Sequence, residues 1–129
     1  MVKQTHFVGS SQDDIREFPE PVRREIGFAI FAAQGGGKAI NVTPLVGFGG
    51  AGVLEIISNH DDGTYRAVYT VRFERAIYVL HAFKKKSVRR IKTPLKELNL
   101  VRERLKQAQA AYESEQASKK RRKNGRKTV

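Results

Sequence analysis

Residues 53–83, VLEIISNHDDGTYRAVYTVRFERAIYVLHAF, decide the fold. Three apolar runs rich in β-branched and aromatic residues follow one another in this stretch, at residues 53–58, 65–73 and 76–83. Two short polar links separate the runs, and the first has an Asp-Gly pair at its tip, which is a common turn sequence. Strands joined by such short links pair in antiparallel order. The stretch therefore predicts a three-stranded antiparallel meander.

A short strand and two helices are predicted before the meander. Residues 2–8 have a weak strand pattern, and a Ser N-cap at Ser10 with Asp13 and Asp14 in the first turn is typical of a helix start. That helix is short, because Pro19 interrupts it. A second helix begins at Pro21, a favoured first-turn residue, and carries apolar residues at helical spacing until the glycines at 35–37.

One more helix is predicted after the meander, beginning at Thr93-Pro94. Its apolar stripe advances by alternating steps of three and four and consists of Leu98, Val101, Leu105, Ala108 and Tyr112. The stripe ends before Ser114, so we expect a folded domain over residues 1–113 and a basic, disordered tail over residues 114–129. The order β-α-α-β-β-β-α predicts an α+β domain whose N-terminal helices pack on one small antiparallel sheet.

Composition narrows the possible classes of protein. The chain has 129 residues, no cysteine and a net charge of +12. The three histidines lack metal-ligand spacing, so we expect no metal and no other cofactor. No apolar stretch approaches the ~20 residues of a membrane helix, and we expect a cytoplasmic protein. Seven of the 25 Lys and Arg residues lie within residues 117–129, which contain no acid. A polyanionic partner explains this excess best; a solubilising surface is the alternative.

A second basic segment follows the last predicted strand directly. Residues 84–92 contain six cations and no anion: Lys84, Lys85, Lys86, Arg89, Arg90 and Lys92. A strand end holds charge in a fixed place, so we expect these side chains to contact RNA rather than only solvent.

The strand register predicts which side chains share a face of the sheet. If the turn at Glu74-Arg75 contains an even number of residues, Arg66 lies opposite Phe83, and His81 lies opposite Val68. Glu55 then shares their face. Val79 is expected on this face, and Leu80 on the opposite one with most of the core. A turn of odd length would break the cluster.

Metal-free RNA cleavage requires a base for the 2′-hydroxyl, cations for the crowded phosphate and an acid for the leaving oxygen. Arg66 suits the phosphate because its planar fork binds two oxygens, and Lys85 and Lys86 add charge. His81 can be the acid or the base. Arg66 can instead pair with Asp61 or Asp62 at the surface, and His81 can form a purely structural hydrogen bond.

The glycines at 47–52 match G-x-G-x-x-G, the fingerprint of dinucleotide binding. That fingerprint requires a helix after it, and here a strand follows. We interpret the glycines as permitting a tight backbone path.

Segments from about Ser10 to Tyr112 resemble the RelE-like toxin superfamily, in its HigB-like, phage-derived subgroup. The Tyr-Arg-x-x-Tyr and His-Ala-Phe-x-Lys-Lys-Ser pieces carry most of the resemblance. The segments are Phe18-Pro19 with Val22-Arg23-Arg24-Glu25-Ile26-Gly27, Pro44-Leu45 with Gly47-Phe48-Gly49, Val53-Leu54-Glu55-Ile56, Tyr65-Arg66-Ala67-Val68-Tyr69, Val79-Leu80-His81-Ala82-Phe83 with Lys85-Lys86-Ser87, and Ile91-Lys92-Thr93-Pro94.

The resemblance implies a microbial RNase-like fold and the toxin of a type II toxin–antitoxin pair. Such toxins cleave mRNA, commonly on the ribosome, and a helix-turn-helix antitoxin neutralises and complexes them. The functional arginine of the family falls on Arg66, and its basic positions fall on Lys85 and Lys86. Thr43 and Arg90 depart from the usual lysine and glycine. Two other functions remain open: a nucleic-acid-binding module without catalysis, and a protein that only binds an antitoxin.

Overall fold

The computed structural model describes residues 2–50, 52–85 and 92–127, with backbone alone for residues 123–127. It confirms the α+β class. The elements in chain order are β1 (Gln4–Phe7), α1 (Ser11–Arg16), α2 (Glu20–Gln34), β2 (Val42–Pro44), β3 (Val53–His60), β4 (Gly63–Thr70), β5 (Ala76–Lys85) and α3 (Leu95–Lys127).

The strands form one sheet in the order β1-β5-β4-β3-β2. The predicted antiparallel meander is confirmed as β3, β4 and β5. The prediction of a wholly antiparallel sheet is wrong at one edge, because β1 pairs with β5 in parallel. The two helices that follow β1 carry the chain to the opposite edge of the sheet, which leaves β1 to align with the last strand.

Strand β2 was not predicted from the sequence. It has three residues, too few for a periodic pattern, and it forms the outer edge beside β3. Two features protect this edge from pairing with another chain. Pro44 has no N–H to offer, and the N–H of Val42 bonds to the carbonyl of Ala39 at 3.2 Å.

Helices cover both faces of the sheet. On one face, α2 buries an apolar stripe against the sheet, consisting of Val22, Ile26, Ala29, Ile30 and Ala33. On the other face, α3 packs through its predicted stripe, in which Val101 and Ala108 are fully buried. The face that we expected to present Arg66 and His81 is therefore the face beneath α3.

A β-bulge in β5 changes the predicted division between the two faces. Val68 lies opposite His81, but the next residue, Tyr69, lies opposite Val79, so Leu80 is the extra residue. Leu80 packs in the cluster beneath α3, and Val79 packs in the cluster beneath α2. The expected placement of these two side chains is therefore reversed, because alternation along a strand fails at a bulge.

Helix α3 continues through residues 114–127, where the loss of the apolar stripe predicts a disordered tail. Near the end of the stripe, the ring of Tyr112 stacks on Phe73 at 4.7 Å between centroids. Within the described part of the chain, no helix is long and apolar enough to span a membrane.

Candidate functional site

Arg66 and Glu55 form a buried ion pair at the centre of the sheet. The two residues lie on neighbouring strands, and Arg66 Nη1 donates to Glu55 Oε1 at 2.7 Å. Their exposed fractions are only 4% and 3%. The predicted register is confirmed, since Arg66 lies opposite Phe83 and Glu55 opposite Val68. A surface pair between Arg66 and the turn aspartates is not formed.

Thr93, which lies just before α3, hydrogen-bonds to both members of this pair. Its hydroxyl donates to Glu55 Oε2 at 2.6 Å and accepts from Arg66 Nη1 at 3.4 Å. The sequence pattern indicated Thr93 only as the start of a helix, and its second role was missed. Among the described residues, none accepts a hydrogen bond from Arg66 Nε, although this atom is buried. One donor of the guanidinium thus points into the protein without a described acceptor.

His81 is held by two side chains of α3. Its Nε2 lies 2.9 Å from Glu97 Oε2, and its Nδ1 lies 3.3 Å from Arg104 Nη1. A guanidinium can only donate, so Nδ1 must accept and Nε2 carries the proton. The geometry therefore fits the neutral Nε2–H tautomer. The ring of Phe83 stacks on the imidazole at 5.2 Å between centroids.

Arg104 fastens α3 to the sheet at this point. It also donates to the carbonyl of Leu80 at 3.0 Å and to Ser10 Oγ at 3.2 Å. Gly9 lies directly against the guanidinium, where an added Cβ would meet Arg104 Cζ at 2.8 Å. The bulge explains the contact, because it turns the Leu80 carbonyl and His81 toward one side chain. Glu97 and Arg104 had no sequence signal beyond their position on a polar helix face.

The lysines at the end of β5 separate onto two faces. Lys85 lies on the face of Arg66 and His81, is buried, and donates to the carbonyl of Lys92. Lys84 lies on the opposite face, where its ammonium pairs with Asp62 at 2.9 Å and lies 5.5 Å from the ring centroid of Tyr65. Its hydrogen bond to Asp62 raises the pKa of Lys84, and the same bond lowers the pKa of Asp62.

The other predicted basic residues have different outcomes. Lys92 is exposed just before α3. Lys86, Arg89 and Arg90 lie outside the described residues. The structure thus brings together the residues predicted to share one face, separates Lys84 from them, and adds three polar side chains: Thr93, Glu97 and Arg104. The residues on the shared face are Glu55, Arg66, His81, Phe83 and Lys85.

In this arrangement, carboxylates already hold the charged or titratable groups. Glu55 pairs with Arg66, and Glu97 hydrogen-bonds to His81. A phosphate that takes the place of Glu55 at the guanidinium would leave a free carboxylate beside the ligand. Within the described ranges, no group of three or more His, Asp and Glu side chains has the geometry to hold a metal ion.

Comparison with known proteins identifies the family. A search of curated proteins found no match. Residues 13–106, which include the ion pair, the bulge, His81 and the first third of α3, match the family described as Phage derived protein Gp49-like (DUF891). The chain therefore belongs to the phage-derived Gp49-like family, a family associated with RelE/HigB-like toxins of toxin–antitoxin systems.

Proposed function

We propose that this protein is the toxin of a type II toxin–antitoxin system and inhibits translation as a ribosome-dependent, metal-independent mRNA endoribonuclease. One observation carries the proposal: Arg66, with its carboxylate partner Glu55, lies on the same face as His81 and Lys85 of the neighbouring strand. These groups supply a phosphate-binding cation, a carboxylate and two proton carriers in one place. The membership of a toxin-associated family supports the same activity.

The ion pair suggests how the site acts on RNA. The phosphate replaces the Glu55 carboxylate as the partner of the Arg66 guanidinium, so the positive charge always has an anion beside it. The freed Glu55 carboxylate accepts the proton of the 2′-hydroxyl, and the 2′-oxygen attacks phosphorus. Arg66 neutralises the crowded phosphate, while the Lys85 ammonium, or His81 once it has taken a second proton from solvent, protonates the leaving 5′-oxygen. Binding to the ribosome supplies the positioning.

Burial of Arg66 requires a movement before RNA can reach it. Thr93 bonds to both members of the pair, so the chain just before α3 must move for the exchange to occur. A large partner such as the ribosome can provide the contacts that stabilise this open arrangement, because a ligand shifts a conformational equilibrium through its preference for one state.

The test uses a variant, Glu55→Gln with Arg66→Gln, in which two neutral amides replace the ion pair and can still hydrogen-bond to each other. The matched control is Glu20→Gln with Arg24→Gln, which neutralises an exposed ion pair on α2. Growth is followed after induction, and mRNA cleavage is mapped in a purified translation extract. We expect wild type and control to arrest growth and cleave mRNA, and the Glu55/Arg66 variant to cleave at least about 100-fold more slowly.

Circular dichroism of both variants is the control for correct folding. Cleavage at the wild-type rate by a folded Glu55→Gln, Arg66→Gln variant would contradict the proposed site. Lack of cleavage by the wild type, on ribosomes and on free RNA alike, would contradict the enzymatic function itself.

The burial of Arg66 and His81 favours a second candidate, a nucleic-acid-binding module without catalysis. In that case the two carboxylates are structural partners, and the basic residues around β5 and α3 bind RNA that stays intact. RNA retained on the protein without new 5′ ends distinguishes this function from the first.

The proposed partner is a helix-turn-helix antitoxin, through which the protein would reach its oligomeric state. Co-expression with the product of an adjoining gene of that type tests the pairing. Rescue of growth and co-purification support it, and a chain that arrests growth equally with or without that product contradicts it. The cytoplasm is the expected compartment, since translation takes place there.

A further inference from the structure

We infer that the C-terminal part of α3, residues 116–127, is a separate anchor that binds the phosphate backbone of a large structured RNA. It is distant from the polar cluster of Glu55, Arg66, His81 and Glu97, called the cluster below. The inference concerns binding and holds whether or not the cluster cleaves RNA. The choice of RNA over DNA and the large size of that RNA rest on the proposed function.

The anchor is a helix that continues beyond the body of the domain. The apolar contacts of α3 end with Tyr112 on Phe73, and none of the described side chains from residue 116 to residue 122 is buried. A helix of this composition would be marginal on its own, because starting a helix is the unfavourable step. Here the packed half of α3 has already started it, so the remaining residues need only extend it.

The charge of the anchor is dense and of one sign. Residues 117–129 contain seven cations and no acid, and the four described cations, Lys119, Lys120, Arg121 and Arg122, are all exposed. Within the described side chains of this segment, one ion pair is formed, between Lys119 and Glu115 at 3.6 Å. Among the described side chains, Lys120, Arg121 and Arg122 are exposed and form no ion pair within the segment, so they are available to an external anion.

The lack of apolar side chains distinguishes between possible partners. Residues 116–127 contain no Val, Leu, Ile, Met or aromatic residue. A helix that lies on a membrane needs an apolar face, and a protein interface needs an apolar or aromatic centre. A helix that offers cations alone matches the phosphate backbone of a nucleic acid, which binds through charge and counterion release.

The distance between anchor and cluster points to a large RNA. Glu97, at the cluster, and Lys119, in the anchor, lie 22 positions apart in one helix, or about 33 Å at ~1.5 Å per residue. An RNA that touches both must extend over that distance. A folded RNA or a ribosomal surface meets this requirement, and a short oligonucleotide does not.

Repulsion between the cations of the anchor should make its helix content depend on bound RNA. Lys119 and Arg122 are three residues apart on the helix, and like charges at this spacing weaken a helix. Phosphates remove that repulsion, so RNA should raise the helix content of the anchor. Cations near a helix C-terminus also interact favourably with the helix dipole, which helps the extension to form before RNA arrives.

The experiment measures binding in the Glu55→Gln, Arg66→Gln background, so that cleavage does not destroy the probe and failure of the proposed enzyme does not affect the result. The probe is a labelled RNA hairpin of about 30 nucleotides, titrated by fluorescence anisotropy at several salt concentrations. The anchor variant changes Lys119, Lys120, Arg121 and Arg122 to Gln. The control changes four exposed cations elsewhere, Arg16, Arg23, Lys38 and Arg75, to Gln.

We expect the anchor variant to reduce the slope of log K against log salt by about 3, since each phosphate contact contributes ~0.7–0.9. The control should change it by less than about 1. Equal slopes for the two variants would overturn the inference, as would equal affinity for a DNA duplex of the same length. Binding that is equally tight to polyglutamate or to vesicles with one anionic lipid in four would also overturn it.

A last variant separates the helix from its charge. Ser118→Pro keeps every cation but interrupts the helix within the anchor, just before its first cation, Lys119. We expect the affinity for the hairpin to fall at least about threefold, and the RNA-induced gain in helical circular dichroism to disappear. Unchanged affinity in Ser118→Pro would show that charge without helical structure is sufficient, and the helical anchor would be rejected.

Discussion

Glu55 Oε1 and Arg66 Nη1 lie 2.7 Å apart in the interior of the sheet, so the residue proposed to bind phosphate already has an internal anion as its partner. The relationship joins stability to function. The pair needs both charges to be tolerated in the interior, and it must also separate if RNA is to reach the guanidinium. Stability measurements on this pair are therefore informative about the proposed mechanism.

Removing one member of the pair should destabilise the protein more than removing both. Glu55→Met or Arg66→Met alone leaves a buried charge uncompensated, and we expect each to lower the free energy of unfolding by about 3–5 kcal/mol. The double change should cost much less than the sum. Urea denaturation of the four proteins measures the coupling. The exposed pair Glu20 and Arg24 is the control, where the same cycle should yield about 0.5 kcal/mol or less.

The tautomer of His81 is a direct prediction of its two contacts. We expect ¹⁵N NMR of the imidazole near neutral pH to show the proton on Nε2, facing Glu97, and an unprotonated Nδ1 that accepts a hydrogen bond from Arg104. Glu97→Gln should keep this tautomer, because its amide oxygen still accepts from Nε2. An Nδ1–H tautomer in the wild type would contradict the arrangement around His81.

Tyr69 should make the protein sensitive to alkali. Burial raises the pKa of Tyr69 from 10.0 to about 12. The unfolded chain then loses this proton at lower pH than the folded chain. The contribution to stability is therefore complete below pH 10 and is lost as the pH rises to about 12. Each pH unit between the two pKa values corresponds to ~1.4 kcal/mol, so the loss is at most about 2–3 kcal/mol.

Tyr69→Phe tests this expectation. Urea denaturation at pH 9 and pH 11.5 should show a smaller decrease for the variant than for the wild type. At pH 7 the variant should be more stable by about 1 kcal/mol, because no described residue bonds to the buried Tyr69 hydroxyl. A variant that is less stable at pH 7 would indicate that the hydroxyl has a partner.

Two glycines should respond to alanine with opposite signs. Gly63 begins β4 at φ 147°, and an added Cβ would meet the carbonyl oxygen of Lys85 at 2.9 Å, so we expect Gly63→Ala to cost about 1–3 kcal/mol. Gly27 lies on the exposed side of α2 with no atom within 4 Å of an added Cβ. Gly27→Ala should stabilise by about 0.5–1 kcal/mol. Thermal or urea denaturation measures both, and equal effects would contradict the strand geometry next to Lys85.

Local patterns predicted much of this fold. The Asp-Gly turn and the apolar runs specified the meander and its register, which in turn placed Glu55, Arg66 and His81 on one face. The stripe from Leu98 to Tyr112 identified α3 and its buried side. These features depend on residues close together in the chain, so they can be recognised before the fold is known.

The remaining features depend on residues that are distant in the chain. The bulge at Leu80 follows from how β5 fits between two neighbouring strands, and alternation alone cannot reveal it. β1 aligns with β5 only after two helices have crossed the sheet.

The residue types and strand spacing alone indicated a basic α+β domain with Arg66 and His81 on one face of the sheet, because side chains of a regular strand alternate with period two. Folding decided that this face is closed. Thr93, Glu97 and Arg104 come from a segment that begins 38 residues after Glu55 in the chain, and their contacts exist only once α3 lies across the sheet. Burial then turned a predicted open cationic surface into a set of paired charges, because a charge removed from water is stable only beside a partner.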